Sequence, residues 1–126
     1  MSVTASWYNP EKTIIRLAYV SPWTWDEFVV ATKQALEIGR TAEHNVGIIS
    51  QPSVPLPKGN PLPYFAESLK DLPDNVRLIV IVSSNYFTNS LTRLGVTVLS
   101  KERDKISIVY SLPEAEAAIA RKISAT

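Results

Sequence analysis

Val76-Arg77-Leu78-Ile79-Val80-Ile81-Val82 is the stretch that decides the fold. From Leu78 to Val82 every residue is apolar, with no alternation. A half-exposed strand alternates apolar and polar residues, because successive side chains point to opposite faces. An unbroken Leu/Ile/Val run buries both faces. That places it at the centre of a sheet covered by helices on either side. It is also the longest apolar run of the chain, far too short to span a membrane.

Working upstream, Pro73 ends a helix whose apolar stripe is Phe65, Leu69 and Leu72, opened by Asn60 as N-cap and Pro61 at the first helical position. Before it, Gln51 to Pro63 carries Pro52, Pro55, Pro57, Pro61 and Pro63. Proline has a fixed φ and no amide hydrogen, so this stretch is a stiff extended loop. Val46 to Ser50 is a short apolar strand. Thr24 and Glu27 form a capping box, followed by Trp25, Phe28, Val29, Thr32, Leu36 and Gly39 at helical spacing. Val3 to Tyr8 and Thr13 to Val20 are strands rich in β-branched and aromatic residues. The turn Asn9-Pro10-Glu11-Lys12 joins them as an antiparallel hairpin.

Downstream, Ser83 or Ser84 caps a helix with Phe87, Leu91 and Leu94 inward and Gly95 at its end. Ile106 to Tyr110 is a fifth strand. Ser111-Leu112-Pro113-Glu114 is a second capping box, opening a last helix with Leu112, Ala115, Ile119 and Ile123 inward. The order is ββαβαβαβα. It predicts one α/β domain over residues 1–126, with a mixed five-stranded sheet and four flanking helices.

The composition narrows the function. The 126 residues are enough to bury roughly two-thirds of the unfolded surface in a single domain. Thirteen Lys and Arg against twelve Asp and Glu leave a net charge of +1, too little to draw the chain to nucleic acid or anionic lipid. The run Lys101 to Lys105 alternates in sign and reads as a solvated turn. With no cysteine there are no disulfides, thiolate metal sites or cysteine nucleophiles. This, with no signal-peptide pattern at the N-terminus, fits a cytoplasmic protein.

The order of elements, with Trp23-Thr24-Trp25-Asp26-Glu27 at a helix start, the strands Val46 to Ser50 and Leu78 to Val82, and Ser111-Leu112-Pro113-Glu114-Ala115 opening the last helix, resembles the STAS or SpoIIAA-like fold. That fold occurs in bacterial anti-sigma-factor antagonists and in a set of small bacterial proteins. The resemblance spans nearly the whole chain and rests on capping and core features, so it implies fold more than function. In the antagonists a phosphorylatable serine follows the third strand in an Asp-Ser-Ser-Gly-type motif. Here the matching residues read Ser50-Gln51-Pro52-Ser53-Val54-Pro55, without the acidic residue or the glycine. Ser53 is the nearest hydroxyl.

Candidate chemistry is sparse. His44, the one histidine, lies in a helix-to-strand connection without partners for general-base or metal chemistry. Asp26 and Glu27 suit the positive end of a helix dipole. No glycine cluster can cradle phosphate. Neither a metal nor a cofactor is expected, and enzymatic activity is not. In open α/β sheets ligands bind beyond the carboxyl ends of the strands. Ser50, Gln51, Ser53, Ser83, Ser84 and Asn85 fall there and form the candidate ligand site, although serines at such places also simply cap helices. The aromatics outnumber what a small core easily absorbs. Trp7, Trp23, Tyr64 and Tyr86 are therefore candidate interface residues, most simply of a homodimer. Two readings follow. One is a non-enzymatic protein-interaction or regulatory module. The other is a small-ligand carrier or sensor with its site under the Pro-rich loop.

Overall fold

A computed structural model of the protein describes residues 2–85, 90, 93 and 104–124. Five strands form one mixed sheet in the order β1-β2-β3-β4-β5: β1 Val3–Trp7, β2 Ile14–Tyr19, β3 Val46–Ser50, β4 Val76–Val82 and β5 Ile106–Val109. β1 runs antiparallel to β2, and the remaining pairs are parallel. The helices among the described residues are α1 Trp25–Thr41, α2 Leu62–Ser68 and α3 Leu112–Ser124. The helix expected from Ser83 or Ser84 to Gly95, with Phe87, Leu91 and Leu94, lies largely outside the described residues, as do residues 101–103 of the alternating charge run.

β4 is buried on both faces, as its unbroken apolar run requires. Val76 and Ile79 pack with Ile15, Leu17, Val46 and Ile48 beneath Ala31, Ala35 and Leu36 of α1. Leu78, Val80 and Val82 pack with Ile14, Ile49, and Ala115 and Ile119 of α3. Each such Val, Leu or Ile side chain contributes about 1.5–3 kcal/mol by leaving water. Val76 and Ile79 share a face although they are three residues apart. An irregularity in the β3–β4 ladder permits this: Val46 pairs with Val76 and Gly47 with Leu78, leaving Arg77 as the extra residue.

Close packing of helix on sheet relies on two glycines. A Cβ at Gly39 of α1 would lie 2.9 Å from Val76 Cγ2, and one at Gly47 of β3 would lie 2.5 Å from Ile119 Cγ2. Asn75 meets the open carbonyls at the end of α1 and in the connection after it: its Nδ2 donates to the oxygens of Gly39 (2.6 Å), Ala42 (3.3 Å) and His44 (3.1 Å). In the hairpin, Asn9 Oδ1 accepts from the amides of Thr13 (3.0 Å) and Ile14 (3.1 Å), and Lys12 takes the left-handed conformation at φ 57°.

Two helix boundaries differ from the sequence reading. α2 begins at Leu62 with Pro61 in the cap position, one residue later than expected. Asn60 therefore stands one residue before the cap position, where its Oδ1 accepts from the Leu62 amide at 3.1 Å in a local turn. α2 also stops at Ser68, a turn early. The Ser68 hydroxyl donates to the Phe65 carbonyl (3.0 Å), and the chain turns left-handed at Asp71. Leu69 and Leu72 reach the core from that turn instead. At α3, Ser111 Oγ accepts from the Glu114 amide (3.3 Å), but the Glu114 carboxylate reaches the Tyr110 amide (2.9 Å), one residue before the cap.

Candidate functional site

The carboxyl ends of the parallel strands lie together, with the Pro-rich loop leaving β3 among them. Its geometry starts with alternation along β2. Ile15, Leu17 and Tyr19 face α1, and so does Ser50 at the end of β3. Tyr19 and Ser50 share a hydroxyl–hydroxyl hydrogen bond of 2.7 Å. Ser50 is buried, and burial pushes the Tyr19 phenol well above its ordinary range, more than the bond to Ser50 lowers it. The phenol is therefore neutral at ordinary pH.

Above this pair lies an aromatic cluster built by the start of α1. Thr24 is the N-cap, with Glu27 closing the capping box. Trp23, just before the cap, and Phe28, one turn in, approach with ring centroids 6.4 Å apart, a hydrophobic staple. Trp23 and Trp25 meet edge to face at 5.1 Å, and Tyr19 meets Trp23 at 4.9 Å. Trp25 stacks on Tyr64 at 6.1 Å and meets Phe65 edge-on at 5.7 Å. Both indoles then bond to the loop. Trp23 Nε1 donates to the Ser53 carbonyl (3.0 Å), and Trp25 Nε1 donates to the Pro57 carbonyl (3.2 Å). The Ser21 and Ser53 hydroxyls share a further bond of 2.8 Å.

The expected interface aromatics are distributed unevenly. Trp23 is 4% exposed and Trp25 6%, so both belong to the core. Trp23 presents no ring face to a partner in this conformation. The fold absorbs it because the loop covers it and satisfies its N–H. Trp7 and Tyr64 are partly buried and pack against the core. Tyr86 lies outside the described residues. The exposed large hydrophobic side chains among the described residues are Val20 (68%), Tyr110 (61%), Val54 (52%) and Val30 (45%). The first three lie on three different connections at the carboxyl end of the sheet, a rim that the sequence reading missed. Alternation could have indicated Val20, which follows Ile14, Arg16 and Ala18 on the face opposite Tyr19.

The expected ligand residues separate into groups. Ser50 and Ser53 lie under and in the loop, each bonded to a hydroxyl from the β2 side, and Gln51 is exposed. Ser83 continues the ladder by donating its amide to the Val109 carbonyl (3.0 Å), and its hydroxyl accepts from the Asn85 amide (3.1 Å). Ser84 and Asn85 are exposed. His44 lies at the opposite end, exposed, with Nε2–H donating to the Lys12 carbonyl (2.7 Å). Among the described residues no three His, Cys, Asp or Glu side chains are grouped to hold a metal ion, and no helix is long and apolar enough to cross a membrane.

No protein-family model, curated protein or solved structure matches the chain.

Proposed function

We propose that the chain is a non-enzymatic interaction or regulatory module that works through the carboxyl rim of its sheet and self-associates there as a homodimer. The observation that carries the reading is the sorting of apolar groups. The tryptophans of the aromatic cluster are covered, while Val20, Val54 and Tyr110 stand exposed on separate connections at one end. Three exposed apolar side chains on that one end offer apolar contact area to a partner. The chemistry of the same end supports it. The hydroxyls of Tyr19, Ser21, Ser50 and Ser53 are bonded to one another rather than to a base that could activate them.

The strand order, advancing from β2 to β4 with α1 and α2 on one face, supports a SpoIIAA-like fold. The absence of cysteine suits a cytoplasmic setting. A second reading, a small-ligand carrier, draws on the buried Tyr19–Ser50 pair beneath the loop.

Sedimentation velocity on the wild-type chain and on a triple variant, Val20→Ser, Val54→Ser and Tyr110→Ser, tests the proposal. The expected result is a wild-type dimer and a folded, monomeric variant. A wild-type monomer at all concentrations, or a variant that dimerises unchanged, would overturn it.

A further inference from the structure

The Pro-rich loop is attached to the fold in an unusual way. Among the described residues, no hydrogen bond joins the backbone of residues 52–59 to another backbone group. The prolines at 52, 55 and 57 remove three donors from the stretch. What holds it is a small set of side-chain contacts. The Trp23 and Trp25 indoles donate to the carbonyls of Ser53 and Pro57, the Ser21 hydroxyl meets that of Ser53, and Leu56 packs on the core. At its far end Gly59 sits at φ +105°, with nothing within 4 Å of where a Cβ would be. At its near end Gln51 is exposed. Segments with few backbone bonds and few apolar anchors open at lower free energy than the sheet they cover.

We infer that residues 51–60 form a strap that releases as one unit while the sheet and α1 stay folded. Its release bares the Trp23 and Trp25 rings and opens a way to the Tyr19–Ser50 hydroxyl pair. The closed strap accounts for the burial of two large indoles close to the surface. The open strap presents an aromatic floor with two free indole donors and a pair of hydroxyls, an arrangement suited to an apolar molecule carrying a hydrogen-bonding group. The two indole bonds set the balance between the states.

Limited trypsin digestion of the full chain, followed bond by bond by mass spectrometry, tests this. Lys58 is exposed, and cleavage at Lys58–Gly59 requires the strap to leave its seat and extend into the protease. Arg77 lies inside β4, so cleavage at Arg77–Leu78 reports unfolding of the whole sheet. Cleavage at Lys58 is expected to run well ahead of cleavage at Arg77. Trp25→Phe, which keeps a ring but loses the bond to Pro57, is expected to speed it roughly five-fold, the factor typical of one net hydrogen bond. Leu56→Ala, which alters only the strap side, is expected to speed it as well. The ratio of the two rates separates strap release from loss of overall stability. Cleavage at Lys58 that tracks Arg77 in every variant would overturn the inference. So would cleavage at the rate of an unfolded peptide, indifferent to both substitutions.

Discussion

Tyr19 and Ser50 hold each other's hydroxyls away from water, and neither can lose its partner without cost. Tyr19→Phe leaves the buried Ser50 hydroxyl unpaired and is expected to destabilise the fold by about 1–3 kcal/mol. Ser50→Ala has the same sign. The double variant removes both polar groups and is expected to recover most of that loss, which a denaturant double-mutant cycle reads directly. The phenol also gives a pH signature. Burial raises it above its ordinary value of 10, so the folded state prefers the neutral form. Its contribution is fully present below pH 10 and is lost as the pH rises through the raised value. Tyr8 acts in the same direction through its bond to Glu116, so Tyr19→Phe is expected to weaken the alkaline loss of stability rather than abolish it. Gly47 is the other decisive residue. Gly47→Ala sets a Cβ against the stiff Cγ2 of Ile119 at 2.5 Å and is expected to cost about 1–3 kcal/mol by overpacking, measured by urea unfolding.

At the level of elements, α1 is tied down at its first turn and along one side. Thr24→Ala removes the cap and is expected to cost about 1 kcal/mol. Glu27 does more than close the box. Its carboxylate also accepts from the Ser2 amide at 3.0 Å, which holds it below the ordinary carboxylate range. Along the side of α1, Lys33 pairs with Glu67 of α2 at 2.8 Å, and Lys70 reaches the same carboxylate at 2.9 Å. The bond from Lys33, then that from Lys70, lowers the Glu67 carboxyl from 4.5 to about 2. This support is present above the ordinary value and is lost as the pH falls through about 2. The side chains are about half exposed, so salt weakens the tie. In a carboxyl NMR titration, Lys33→Met is expected to move Glu67 back toward 4.5. An unchanged titration would mean that Lys70 alone sets it.

Taken whole, the molecule shows which features a single sequence carries. The sheet was legible because Leu78 to Val82 has one physical solution, burial on both faces, and because Thr24 with Glu27 marks a helix start unambiguously. The early end of α2 was not. It depends on Ser68 turning its hydroxyl back onto Phe65 and on the left-handed Asp71, and neither leaves a periodic trace. Nor was the sorting of the aromatics legible. Count and spacing suggest a surplus of rings near the surface, but the burial of Trp23 and Trp25 depends on loop carbonyls arriving thirty or more residues later in the chain to meet their N–H groups, a tertiary fact. The rim of Val20, Val54 and Tyr110 is tertiary in the same sense, since the parallel pairing of β2, β3, β4 and β5 brings those connections to one end.

We propose that this rim is where the protein makes contact. A methyl-labelled NMR dilution series distinguishes it from non-specific association, because Val30 on α1 supplies an exposed valine elsewhere on the same molecule. With rising concentration the methyl signals of Val20 and Val54 are predicted to shift while those of Val30 stay fixed. Signals that do not move across the series, or shifts centred on Val30, would place no contact at the rim.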